Sequence, residues 1–199
     1  MADSFNNIED FVKQDEKLID IWGRRNPRFE KKYEDSVIRV LSEFGIKATE
    51  NTNAKGKIFG NGYEPYIIAF FIGLYAGKKL LLGEDTRDLR YPIQNWGNVE
   101  TRGLRKAYSS LRSYIFIALI AKTEVDWIAL DKGDIKASAV VTSLINTMEE
   151  YANYGFFVME EKLKEDPGYF FSKRSFLDMF LQLTEKKVDT IEEEELEDL

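Results

Sequence analysis

The stretch 83–90, GEDTRDLR, sets Glu84, Asp85 and Asp88 close together, with Glu100 ten residues further on. Carboxylates in such company are what a hard divalent cation asks for, and Mg²⁺-dependent nucleases and phosphoryl-transfer enzymes use them. Arg87 and Arg90 are interleaved with the acids, however, and local ion pairing accounts for the same pattern. A metal site needs donors converging from several elements, which one acidic turn does not supply. No metal and no cofactor are therefore expected, and a carboxylate–metal nuclease stands as the alternative reading.

Two further groups could do chemistry. Arg102, Arg105, Lys106 and Arg112 share one side of a helical stretch, with Ser109 among them and no acid inside the stretch to pair with. Guanidinium groups in a row can track phosphates, releasing a counterion for each one neutralised, so contact with DNA is a candidate role. Glu149 and Glu150, with Glu160 and Glu161 eleven residues on, are the residue types of a glycosidase pair. Adjacent glutamates on one helix point to different faces, and the repeat marks only the polar side, so an acid/base role is not expected.

What is missing narrows the field more. The 199 residues include no Cys and no His. That removes disulfides, thiolate nucleophiles, Cys/His zinc sites, the Ser-His-Asp triad and any histidine base. It also fits a reducing cytoplasm. The glycines form neither G-x-G-x-x-G nor G-x-x-x-x-G-K-[ST], so no nucleotide cradle is visible. The net charge of −7 belongs to the end of the chain. Glu192 to Glu195, Glu197 and Asp198 are six of the 35 acids, and without them 29 acids face 28 bases.

These groups must be positioned by helices. The most apolar stretch, YEPYIIAFFIGLYAGKKLLL, has an uninterrupted run from Tyr66 to Ala76, eleven residues. About twenty are needed to cross a bilayer, so it reads as a buried helix and no membrane association is expected. It should span Glu64 to Lys79, with Pro65 tolerated in the first turn and Gly77 as the residue past the last turn. Gly73 then needs a reason, since glycine inside a helix costs about 1 kcal/mol against alanine, and close approach of another helix would be one.

Before it, apolar spacing predicts a helix or helix pair ending near Pro27, then a helix through Tyr33, Val37, Val40 and Leu41 stopped by Gly45. The polar connector after that could hold a short hairpin near 47–62. A long helix is expected from Thr101 to Lys122, with Leu104, Tyr108, Leu111 and Ile115 as its buried stripe. A short turn or helix at WIALDKGD, a helix from Ile135 to the break at Pro167 and a last helix over 171–183 complete the set. The fold class is mainly α: about six helices in one compact bundle, a single domain over 1–190, followed by a disordered acidic tail at 191–199.

Three segments, YEPYIIAFFIGLYAGKKLLL, IALIAKTEVDWIALDKGD and INTMEEYANYGF, together resemble small helical proteins encoded beside bacterial DNA phosphorothioation (Dnd) modification and restriction genes. The similarity covers the chain from about Lys32 to Phe157. Its motif positions are Gly73, Glu149, Glu150, Tyr151, Ala152, Asn153 and Gly155, with Tyr154 where the pattern has a glycine. The resemblance implies a helical fold and a defence context, and it carries over no catalytic residue. The expected role is a non-enzymatic accessory subunit docking onto a larger protein in the cytoplasm. A homo-oligomeric scaffold is a further alternative, whose sign would be surplus apolar surface on the helix containing Phe70.

Overall fold

The computed structural model describes residues 17–43, 58–98 and 108–183. Of these, 63% are helical and 6% extended, so the fold is mainly α. The acidic tail at 191–199, most of the expected hairpin at 47–62, and Arg102, Arg105 and Lys106 lie outside the described residues. At the described end of the connector, Phe59 pairs with Ser42 in an isolated parallel bridge.

The chain groups into two compact units. The first comprises Met1–Asn26 and Arg90–Asn146, the second Pro27–Leu89 and Thr147–Leu199. Helix α1 (Leu18–Gly23) belongs to the first, and its Trp22 packs against Phe116 with ring centroids 5.4 Å apart. A short 3-10 turn, Ile93–Asn95, follows Pro92 and buries Ile93, and Trp96 is anchored by donating its ring N–H to the Tyr91 carbonyl at 3.1 Å. Helix α4 spans Leu111–Lys122 and buries Ile115, Phe116 and Leu119.

The long helix expected from Thr101 does not run through Tyr108. The Tyr108 N–H donates to the Gly97 carbonyl at 3.2 Å, so it has left the helical ladder. Gly97 sits at φ 76°, and a Cβ there would come within 2.9 Å of the Tyr108 backbone, so only glycine lets the chain fold back at this point. Helix α5, Trp127–Asp131, starts at Asp126, whose carboxylate accepts from the Ala129 N–H at 2.9 Å in the manner of an N-cap.

In the second unit, strand β1 (Arg28–Glu30) pairs antiparallel with β2 (Thr86–Asp88), Phe29 opposite Arg87. Next comes α2, a π-helical Glu34–Ile38 continuing into Arg39–Leu41. Hydrogen bonds in a π-helix run from i to i+5, and Glu34 and Arg39, five apart, form an ion pair on it.

Helix α3, Tyr63–Ala76, buries nine of its 14 residues. Pro65 stands in its first turn, and the Glu64 carboxylate reaches back to the Gly60 N–H at 2.8 Å. The helix ends three residues earlier than expected. Gly77 adopts φ 64° and donates to Leu74, while Lys78 N–H donates to Gly73, the paired bonds of a Schellman end.

Helix α6 (Ala137–Glu165) begins in the first unit's residues and ends in the second's. Within the second, Phe156 is fully buried, stacked on Tyr33 at 5.5 Å and edge-on to Tyr66 at 5.7 Å. Burying such a ring contributes about 1.5–3 kcal/mol. A 3-10 turn, Tyr169–Phe171, follows the break at Pro167, and α7 covers 175–183, with Phe176 stacked on Phe170 at 5.1 Å.

Candidate functional site

Among the described residues, two places gather groups with chemistry. The first is the motif segment of α6 in the second unit. Glu149 is 3% exposed in its side chain and pairs with Arg28, whose Nη2 donates at 2.8 Å and whose backbone N–H donates to the other carboxylate oxygen at 2.8 Å. The hydrogen bond to Glu149 raises the Arg28 pKa above its ordinary value. Glu150 lies 3.7 Å from the Lys79 ammonium, which also sits 5.2 Å from the centre of the Tyr151 ring.

Asn153 is 1% exposed and directs its amide nitrogen to Glu30 at 2.8 Å and to the Leu81 carbonyl at 3.0 Å. Glu30 in turn accepts the Gly83 N–H at 3.0 Å and pairs with Lys32. Burial pushes the Glu30 carboxyl up, but Lys32, Asn153 and Gly83 outweigh it and hold its pKa below the ordinary value. Burial, reinforced by Glu149, pushes the Tyr66 hydroxyl well up, so it stays protonated.

Gly73 and Gly155 complete the motif by letting α3 and α6 touch backbone to backbone. A Cβ on Gly73 would lie 2.8 Å from the Tyr151 carbonyl carbon, and one on Gly155 would lie 2.6 Å from the Ala69 Cα. The close-approach pair on α3 is thus Ala69 and Gly73, one turn apart, rather than Gly73 and Gly77. Nothing lies within 4 Å of a Cβ placed on Gly77. Every motif residue from Glu149 to Gly155, and Tyr154 with Lys78 over its ring at 6.0 Å, is engaged inside the second unit.

The acids weighed as metal ligands are spread in the same way. Asp85 lies 3.8 Å from Lys31, and Arg87, between Asp85 and Asp88, pairs with the buried Glu34. Among the described residues no three acids gather as a divalent cation would need, and Glu100 lies outside them. Glu160 and Glu161 both bind Lys164 at 2.9 Å, which takes up the second glutamate pair. Sequence reasoning missed Arg28, Glu30 and Glu34, because Glu149, Asn153 and Arg87, which engage them in turn, lie far along the chain.

The second place is a cavity of about 250 Å³ in the first unit, lined by Ile19, Asp20, Trp22 and Gly23 of α1, Gln94, and Ser109, Arg112 and Ser113 at the start of α4. Arg112 is the one candidate phosphate-contact residue among the described residues. Its Nε donates to the Ser109 carbonyl at 3.2 Å. Among the described residues no helix is long and apolar enough to cross a membrane. No protein-family model, curated protein or solved structure matches the chain.

Proposed function

We propose that the chain is a non-enzymatic accessory subunit that docks onto a larger protein in a bacterial DNA modification or phage-defence system. The observation that carries the docking half is on α4. Tyr114 and Ile117, three residues apart and so on one helix face, are 65% and 61% exposed. Trp127 and Ile128 of the same unit are 38% and 67% exposed. Large apolar side chains at helical spacing on a surface mark a place where another protein covers them.

The buried acids support the non-enzymatic half. Glu30, Glu34 and Glu149 are each held by basic partners from their own unit, a structural use of these carboxylates. For the scaffold alternative, α3 offers Tyr75 as its exposed large apolar residue, and that ring meets Phe180 at 5.3 Å. The defence context rests on the resemblance of the three segments to proteins of phosphorothioation loci, and DNA contact rests on the basic residues Arg102, Arg105, Lys106 and Arg112.

Affinity purification of the tagged chain from its host tests the reading. One partner of a modification or restriction complex should be retained at stoichiometric level, and Ile117→Asp should release it without changing the thermal melt. Retention unaffected by Ile117→Asp and Tyr114→Asp would remove α4 as the docking face. A chain that recovers only itself would remove the reading.

A further inference from the structure

Charge is unevenly spread along the first unit. Its described residues 17–26, 90–98 and 108–122 carry six bases, Lys17, Arg24, Arg25, Arg90, Arg112 and Lys122, against one acid, Asp20. The unit's other described acids, Glu124, Asp126, Asp131 and Asp134, all fall on or beside α5. In a chain of net charge −7 this basic stretch runs against the whole, and four of its six bases are arginine. The planar guanidinium fork fits phosphate oxygens in pairs, whereas lysine offers a point charge.

The fold brings two separated parts of that stretch together. The Ile93 N–H donates to the Arg25 carbonyl at 3.1 Å, and a Cβ on Gly23 would lie 3.4 Å from the Gln94 Cβ. The chain leaving α1 therefore runs beside the 3-10 turn, with Arg25 on one and Arg90, three residues before Ile93, on the other. Three residues span at most about 11 Å. One DNA strand advances about 3.4 Å per phosphate, so a few phosphates would reach from one arginine to the other. Both side chains are exposed, and among the described residues neither takes part in an ion pair. Asp88, the acid nearest Arg90 in sequence, stands opposite Arg28 in the strand pair.

Arg90 is also the one non-glycine residue at positive φ among the described residues, at 57°. Its Cβ is crowded in that conformation, so glycine would be the easier residue there if the turn alone mattered. Tyr91 beside it is 38% exposed, and guanidinium groups next to exposed aromatic rings are a combination that nucleic-acid surfaces use and an acidic peptide does not need. We propose that Arg25 and Arg90 form a phosphate-contact surface of the first unit for the backbone of a nucleic acid. The proposal rests on the DNA-contact part of the proposed function, assigns that contact to residues other than Arg102, Arg105 and Lys106, and is independent of the docking face on α4.

The test titrates the full chain against a short fluorescent DNA duplex, its single strand and polyglutamate over a range of salt concentrations. Saturable binding of at least one DNA form is expected, weakening as salt rises. Arg25→Gln and Arg90→Gln should each weaken it by about threefold or more at low salt and lower the slope of log K against log salt by about one. Both side chains are exposed, so these variants should keep the parent's thermal melt. Arg90→Gly should lose binding as Arg90→Gln does while melting no lower than the parent, because glycine relieves the backbone at φ 57°. Salt slopes unchanged in Arg25→Gln and Arg90→Gln, or no saturable DNA binding at low salt, would overturn the proposal. So would polyglutamate bound as tightly as DNA, which would make this a surface for acidic protein. Binding lost on neutralising Arg102, Arg105 and Lys106 but unchanged in Arg25→Gln and Arg90→Gln would keep DNA contact and overturn this assignment of it. Ile117→Asp, made to break docking, should bind DNA as the parent does, which separates the two readings.

Discussion

Gly155 lies against Ala69 with no room for a side chain, a Cβ on the glycine falling 2.6 Å from the Ala69 Cα. One turn along each helix, Gly73 meets the Tyr151 backbone in the same way, at 2.8 Å from its carbonyl carbon. Backbone atoms cannot move aside as the end of a long side chain can, so α3 and α6 would have to separate along their shared length. Gly155→Ala and Gly73→Ala should each lower unfolding free energy by about 1–3 kcal/mol or more, even though alanine is the better helix former by about 1 kcal/mol. Gly77→Ala is the control, open on all sides but at φ 64°, and should cost only about 1–2 kcal/mol. Urea denaturation of the three variants reads the order directly. Equal losses at all three positions would contradict the close approach.

Arg28 and Glu149 are joined across 121 positions of sequence, and only one of them is buried. Removing the arginine side chain leaves a carboxylate in the interior with the Arg28 N–H as its remaining partner. Arg28→Ala should therefore destabilise by about 2–3 kcal/mol, less than a fully buried pair because half of the guanidinium is already in water. Arg28→Ala combined with Glu149→Gln should recover part of that loss, since no charge is then stranded. A double variant as unstable as the sum of the two single ones would show that the pair does not interact.

The helices were legible where the sequence punctuates them. Pro65 opens α3 and Gly77 closes it, and each acts through its own backbone, which one sequence can express. Gly73 asked for a close neighbour, but that neighbour is named only by α6, whose Tyr151 lies 78 residues on. The strands were not legible, because RFE and TRD are three residues each, too short for an alternating pattern, and their pairing closes a loop of more than fifty residues. The start of α4 was misplaced because hydrophobic spacing continues through Tyr108, whereas the Tyr108 N–H is taken by Gly97. The motif was legible as a motif, but its engagement with β1 and the 80–83 loop depends on Glu30, which carried no signal of its own.

Asn153 holds the segment after α3 through the Leu81 carbonyl, and the Leu80 N–H donates to the Glu150 carbonyl at 3.1 Å. Leu81 itself is 76% exposed, so little apolar burial keeps this segment in place. In Asn153→Ala the Leu80 and Gly83 amides should exchange with solvent at least about tenfold faster, while core amides of α3 stay protected to the global limit. Hydrogen exchange followed by mass spectrometry or NMR separates the two. Uniform acceleration across α3 as well would mean that Asn153 supports the whole unit rather than the loop.

Glu30 supplies part of the pH dependence. Its carboxyl is held below the ordinary value in the folded chain by Lys32, Asn153 and Gly83 against the opposing effect of burial. The unfolded chain therefore binds a proton first as pH falls. The stabilisation is complete above the unfolded carboxyl value of about 4.3 and is lost as pH drops through the folded one. In Glu30→Gln the amide oxygen can still accept from Asn153 and Gly83, so the fold is kept while that titration is removed. Between neutral pH and about pH 3 the parent should lose stability more steeply than the variant, and the gap between their melting temperatures should narrow as the acid limit is approached. Parallel melting curves over the whole range would show that Glu30 titrates alike in both states.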